Sequence, residues 1–389
     1  MQVSSTRIHL AGSASRARAL DKLTYAHDLV TQLVRRLAVD SATFVLTVGR
    51  EPLLVKDEPS SPSIIFDWTV LATIRDCLQE GLCQAQGSQG KLITAVVTEK
   101  TDAQIPPTRR ELWDFLLTQG ALRLEYVTSD WTSGAIRRQQ AVQIGSLFIA
   151  ISGGEGVEHL AQEYLAAGKP VIPIDLDLGA STDVGEGRAV RMARRARAEP
   201  NRFIDLRDSS YGAEIFTATV THDGTAPIPS VVQGILSLIT ALKPPRVFYV
   251  RLLDPDDDDW KSVESYFRDV VDPVVKKLGF EGVEMSRQSP ITAWMNVEIF
   301  ERLHHAHVVL VDLTGLRTNC FMEMGYSFGH RQRVLIMARE GTRVPFDPSS
   351  IEYLPWKDNA PDKERMLALE TYWSRHIDRP PLVRPQSLP

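Results

Sequence analysis

Between His307 and Met337 the chain places two acids where a reacting sugar could meet them. The apolar run Val308-Val309-Leu310-Val311 ends in Asp312-Leu313-Thr314-Gly315. Then come Asn319-Cys320-Phe321-Met322-Glu323-Met324-Gly325-Tyr326 and a second apolar run, Val334 to Met337. This spacing predicts Asp312 at the C-terminal tip of a buried strand and Glu323 in the first turns of the next helix. Ligands of open α/β sheets bind at that edge. The N–H groups and dipole of the helix start are expected to hold Glu323 ionised. A carboxylate in a sugar-sized pocket suits attack on, or stabilisation of, an anomeric carbon as an N-glycosidic bond breaks. Plainer roles compete: Asp312 as a loop cap and Glu323 as a dipole partner.

The elements that must position these acids are those of an α/β protein. Strand-length apolar runs alternate with amphipathic helix-length stretches, which argues for parallel sheets with crossover helices. The first half offers strands at Arg7–Ala11, Thr43–Val48, Lys91–Thr98, Leu122–Val127, Leu147–Ile151 and Pro170–Ile174. Helices are expected at Ser15–Ala38, Ile64–Glu80, Arg109–Thr118, Gly134–Ile144, Val157–Ala167 and Val231–Leu242. Lys243-Pro244-Pro245 cannot continue a helix, and a new strand, Arg246–Val250, follows at once. The reading is two domains, 1–242 and 243–389, the second ending in an extended, proline-rich tail from Asp378. No internal repeat is evident.

The segment from Arg246 to about Trp356 resembles the TIR-like and nucleoside 2-deoxyribosyltransferase-like domains of bacterial defence proteins. The Asp312-Leu-Thr-Gly turn, Asn319 and Glu323 carry the likeness, with the opening strand and the Val344-Pro345-Phe346-Asp347 turn. The resemblance implies a flavodoxin-like parallel sheet, Glu323 in the catalytic position, and Asp312 and Asn319 orienting substrate. Gly325 and Gly329, four apart on the Glu323 helix, suggest close packing against a neighbour.

In the first half, Ser152-Gly153-Gly154-Glu155-Gly156 joins an apolar strand to a helix. Glycines there let backbone N–H groups approach a phosphate, although a tight turn without ligand is the ordinary alternative. With Gln162 to Pro170 and the strand Val171–Ile174, this resembles the SLOG group, Rossmann-like domains related to LOG phosphoribohydrolases. Ile8–Ser13, Thr47–Arg50 and Ile65–Trp68 extend the likeness over about residues 5 to 205. The catalytic pattern departs from it: Ser152, Val157 and Leu160 stand where LOG enzymes carry proline, threonine and glutamate. Glu158 and Glu163 sit at other helical angles, so this half reads as a binding domain. The expected ligand residues are Gly12, Ser13, Gly49, Arg50, Arg138, Gly153, Gly154 and Gly156. Arg188, Arg191 and Arg195 join them, from a run that also holds Arg194, Arg197 and Arg202 and that could equally be a solvated helix face.

The remaining sequence narrows the classes. A net charge of −5 and arginines without interleaved aromatics argue against nucleic acid. Cys77, Cys83 and Cys320 have no metal spacing and fit a reducing compartment. Asp256 to Asp259 reads as a solvated loop, and His304, His305 and His307 lack an i, i+4 zinc spacing. Arg287, Trp294, Tyr326 and Trp356 are candidates to line the second pocket. Met1 to Arg7 lack an apolar signal core, and no apolar run approaches bilayer length. These observations point to a cytoplasmic protein with no metal, no resident cofactor and no membrane contact. The two resemblances together imply an antiphage effector that self-associates. A nucleotide-derived signal on the first half would switch on NAD cleavage at the nicotinamide–ribose bond by the second. The alternatives are a nucleoside 2-deoxyribosyltransferase or nucleotide N-glycosidase, and a non-catalytic nucleotide-binding protein.

Overall fold

The computed structural model describes residues 2–16, 20–48, 62–87, 90–127, 133–179, 188–207, 209–220, 224–284, 295–345, 351–377 and 379. The chain divides into two compact units, Met1–Lys243 and Pro244–Arg384. Both are α/β, with parallel sheets flanked by helices.

In the first unit the elements run β1 (Arg7–Ser13), α1 (Leu20–Val39), β2 (Thr43–Leu46), α2 (Asp67–Gln79), β3 (Gln86–Gly87), β4 (Gly90–Lys91) and β5 (Ile93–Thr98). Next come α3 (Pro107–Thr118), β6 (Leu122–Val127), α4 (Ser133–Ile144), β7 (Leu147–Ser152), α5 (Glu155–Ala166) and β8 (Val171–Ile174). Helices α6 (Arg188–Ala198), α7 (Ser209–Val220) and α8 (Ile228–Ala241) complete it. β3 and β4 form a small hairpin; the other six strands make one parallel sheet in the order β6-β5-β2-β1-β7-β8. The chain winds outward from β1 in one direction, then crosses back to β7, which leaves a switch point between β1 and β7. Every residue of β7 and β8 is buried, as expected for strands covered on both faces.

Several boundaries differ from expectation because hydrogen bonds outweigh local propensity. β1 runs on through Gly12 and Ser13, which pair with Ile151 and Ser152 rather than forming a turn. The Ser15 N–H is committed to the Leu178 carbonyl at 2.8 Å, so it does not begin α1. Ile64 accepts from the Ala14 N–H at 2.8 Å and Ile65 bridges Ser13, so α2 starts only at Asp67. Helix α7 was not expected from the sequence.

The second unit runs β9 (Arg246–Val250), α9 (Trp260–Tyr266), a π-turn at Phe267–Val271, α10 (Asp272–Lys277), β10 (Glu281–Val283) and α11 (Met295–His304). It continues with β11 (Val308–Asp312), α12 (Thr318–Gly329), β12 (Val334–Arg339), β13 (Leu354–Trp356) and α13 (Asp362–His376). Its five parallel strands lie in the order β10-β9-β11-β12-β13. Counted within the unit this is 2-1-3-4-5, the flavodoxin-like order, whose switch point lies between β9 and β11. Val247, Tyr249, Val308 and Leu310 pack on one face, and Phe248, Val250, Val309 and Val311 on the other. That period-two division follows from the strand geometry.

Candidate functional site

Asp312 ends β11 at the switch point of the second sheet and is wholly buried. Its Oδ1 accepts the Thr314 N–H at 2.9 Å, and its Oδ2 accepts the indole Nε1–H of Trp356 at 2.7 Å. Trp356 is itself buried and stacks on Tyr266, ring centroids 4.2 Å apart and nearly parallel. Burial pushes the Asp312 carboxyl up to about 6, against the pull of these donors and of Arg251. Asp312 thus has no surface open to a substrate. It acts as a loop cap that fixes the turn into α12, and Trp356 serves as its partner rather than as a pocket wall.

That turn is held from several sides. Gly315 and Leu316 both take left-handed backbone conformations, φ 78° and 51°. Arg317 pairs with Asp254 at 2.7 Å and Asp257 at 2.9 Å, while Arg339 pairs with Asp259 and donates its N–H to Thr314 Oγ1 at 2.9 Å. Members of the acidic run therefore work as anchors for basic side chains, which corrects its reading as a simple solvated loop. Among the described residues no group of His, Cys, Asp and Glu is arranged to hold a metal.

Helix α12 begins at Thr318 without a side-chain cap. Asn319 is its second residue and is exposed; Glu323 is its sixth and is partly buried. The two lie four apart, on one helix face. Among the described residues the Glu323 carboxylate has no hydrogen bond and no ion pair. Burial pushes its pKa up to about 7. This corrects the expectation that the helix start holds Glu323 ionised. The dipole acts within the first turn, and at the sixth position backbone N–H groups are already bonded along the helix. Cys320, one turn earlier, is buried, and its thiol is pushed up to about 12 by desolvation and by Glu323.

Gly325 and Gly329 are exposed, with no atom within 4 Å of an added Cβ, so close packing of α12 at these glycines is not found. Tyr326 packs against Phe300 at 4.7 Å on that surface. Arg287, Trp294, Phe346 and Asp347 lie outside the described residues.

At the switch point of the first sheet, Ser13 and Ser152 are register partners. A Cβ on Gly12 would fall 2.0 Å from the Ile151 carbonyl oxygen, so strand pairing requires that glycine. Ser152 has φ 49° and accepts the Leu176 N–H at 3.0 Å; Gly153 has φ 110°, and a Cβ there would meet Val157 at 2.5 Å. Gly154 then starts α5 without a side-chain cap, and Gly156 is exposed. Ser13, Gly12, Gly153 and Gly154 are thus brought to one edge. Leu160 is buried, so it belongs to the core.

Arg191 and Arg195 are exposed, while Met192, Ala193 and Ala196 of the same helix face inward. The chain beyond α6 reaches the opposite edge of the sheet, where Phe203 accepts the N–H of Val171, the first residue of β8. Arg195 lies about 10 Å along α6 from its start. Arg197, two residues further on, lies within electrostatic reach of Asp175, next to the Leu176 whose N–H bonds to Ser152. Gly49 and Arg50, and the side chain of Arg188, lie outside what is described. Arg138 sits on α4 beside Arg137, whose Nη1 donates to the Val48 carbonyl at 3.0 Å.

A family model described as ATP nucleosidase Cap17-like, N-terminal, matches residues 3–239, more than half of the chain. The chain belongs to this family. The Cap17-like match lies within the first unit and stops before β9, so it does not include Glu323. Two curated relatives, each named ATP nucleosidase Cap17, come from Escherichia coli strain KTE188 and from Escherichia coli. Each is 25% identical over 193 residues, 49% of this chain and 36% of the relative. The chain thus spans about a third of the length of the curated relatives it matches.

Three residues at these edges escaped the sequence reading. Asp67, the first residue of α2, has its carboxyl pushed up to about 7 by burial, against the pull of Arg137. Arg251, just after β9, is nearly buried and is held by Glu264 and Glu284, each at 2.8 Å. A polar residue directly after an apolar strand was the available signal for Arg251. For Asp67 and Arg137 only their tertiary meeting marks them.

Two outcomes follow. Trp356→Phe removes a donor from a buried carboxylate and should lower the stability of the second unit by about 2 kcal/mol. An unchanged unfolding midpoint would show that the indole does not support Asp312. For Glu323 the folded pKa lies above the ordinary 4.5, so its contribution to stability is full below that value and lost as pH rises through about 7. Glu323→Gln should therefore unfold at a higher temperature than the parent near pH 8 and at the same temperature near pH 4. Equal midpoints across that range would mean that burial leaves Glu323 unstrained.

Proposed function

We propose that the second unit breaks the N-glycosidic bond of a nucleotide, NAD being the substrate, with Glu323 as the catalytic carboxylate. The observation that carries this reading is a partly buried carboxylate that has no partner among the described residues, on the helix that follows the switch-point strand of a parallel sheet. A carboxylate kept from water and from donors interacts most strongly with a cation formed next to it. The oxocarbenium at C1 of the ribose is such a cation. Nicotinamide leaves as a neutral base from a positively charged ring, so no metal and no proton donor is required. In this reading Asn319, exposed and four residues before Glu323, contacts the ribose hydroxyls, and the N–H groups at the start of α12 take a diphosphate. Asp312 serves as a positioning residue through the turn it caps.

The first unit binds a nucleotide-derived signal at its own switch point, as the SLOG-like glycine turn suggests, and activates the TIR-like second unit in antiphage defence. Self-association accompanies activation, in line with that resemblance. A second reading is favoured by the relatives' name: cleavage of ATP to adenine and ribose triphosphate. Among the described residues, no helix is long and apolar enough to cross a membrane.

Product analysis separates the two. Incubated with NAD and with ATP, in the presence of a panel of nucleotide signals, the parent chain should release nicotinamide, and Glu323→Gln should lose at least about a thousandfold in rate. Adenine release from ATP would move the substrate to the second reading. Undiminished activity in Glu323→Gln would remove Glu323 from the chemistry.

A further inference from the structure

The first unit carries a charged group that its glycine turn does not explain. Asp67 opens α2 three residues after Ile64, whose carbonyl accepts the N–H of Ala14, and two after Ile65, which bridges Ser13. His27 clamps the same segment: one ring nitrogen lies 2.7 Å from the Ser63 carbonyl oxygen, the other 2.8 Å from the Thr69 hydroxyl, and the ring packs edge-on against Phe66 at 5.1 Å. Asp67 is therefore held rigidly at the edge where β1 and β7 part. Arg137 reaches the same edge from α4, tied to the Val48 carbonyl just beyond β2. Arg138 follows it, and each guanidinium keeps a buried Nε–H without a hydrogen-bond partner.

Asp67 lies within electrostatic reach of Arg137, yet among the described residues the two form no ion pair, and the carboxylate accepts no hydrogen bond. A structural salt bridge would close that gap. Left open, the group offers a carboxylate that needs donors beside guanidiniums that need acceptors. Inorganic polyphosphate would satisfy the arginines but be repelled by Asp67. A bare nucleoside would satisfy Asp67 and leave the arginines unfilled. A nucleotide presents both, a ribose diol or base amine together with phosphate oxygens.

We infer that Asp67, Arg137 and Arg138 read the ligand of the first unit, and that this ligand is a nucleoside polyphosphate. Its phosphates lie on the two arginines and the Gly153-Gly154 turn, and its ribose or base donates to Asp67. This rests on the reading of the first unit as a nucleotide-binding domain.

Calorimetric titration of the full chain carrying Glu323→Gln, which prevents turnover in the second unit, with ATP and with tripolyphosphate tests it. Added Asp67→Asn should weaken ATP at least about tenfold and leave tripolyphosphate as tight or tighter, which also shows that the variant is folded. Arg138→Gln, which leaves the Arg137 bond to the Val48 carbonyl intact, should weaken both ligands at an unchanged unfolding midpoint. If ATP binds and Asp67→Asn binds it equally well, the role of Asp67 is overturned while the nucleotide-binding reading stands. If neither ATP nor tripolyphosphate binds before Asp67 is changed, that reading falls and the inference with it.

Discussion

The second unit depends on how a single buried carboxylate is satisfied. Asp312 could not remain at the tip of β11 without donors, because an unpaired buried charge is far costlier than any local gain. Its donors come from opposite directions. Thr314 closes the turn that leads into α12, and Trp356 reaches across from β13, two strands away. One interaction thereby sets the start of α12 and ties the outer strand to the switch point. Stacking of Trp356 on Tyr266 fixes the indole in turn. Glu323 inherits its position from this arrangement and takes no part in it.

The contrast between the two acids is the chemical content of the site. They belong to consecutive elements, yet one is consumed by the fold and the other has no partner among the described residues. Folding gains nothing from a partly buried carboxylate without a donor, and such groups persist where function needs them. Asp67 repeats the contrast in the first unit, held at a second switch point by a segment clamped to β1 and α1 while its own carboxylate stays open. Both units thus use the same topological device, the crevice that opens where strand order reverses.

The α/β class and most strands were legible in the sequence, because buried parallel strands are nearly continuous apolar runs. Leu147–Ser152 and Val308–Asp312 are the plainest examples. Helix α13 was missed: Asp362 to His376 mixes charges with few apolar residues, and it packs only through Leu369, Tyr372, Trp373 and His376. Gly12 and Ser13 resemble a turn in isolation, and only the β7 register keeps them in the strand. At the site, the position of Glu323 could be read from spacing, but its proton affinity could not, since that depends on what packs around it. The fate of Asp312 was hidden more deeply, because its decisive partner lies 44 residues further on. Asp67 and Arg137 were hidden for the same reason.

The most direct test of the account is the pH dependence of nicotinamide release from NAD by the chain with both units. A carboxylate that must be ionised to stabilise a ribosyl cation, and whose pKa burial has pushed up to about 7, predicts a rate that climbs tenfold per pH unit below that value and levels off above it. A rate that is flat from pH 5 to 8, or that falls as pH rises, would contradict the role given to Glu323.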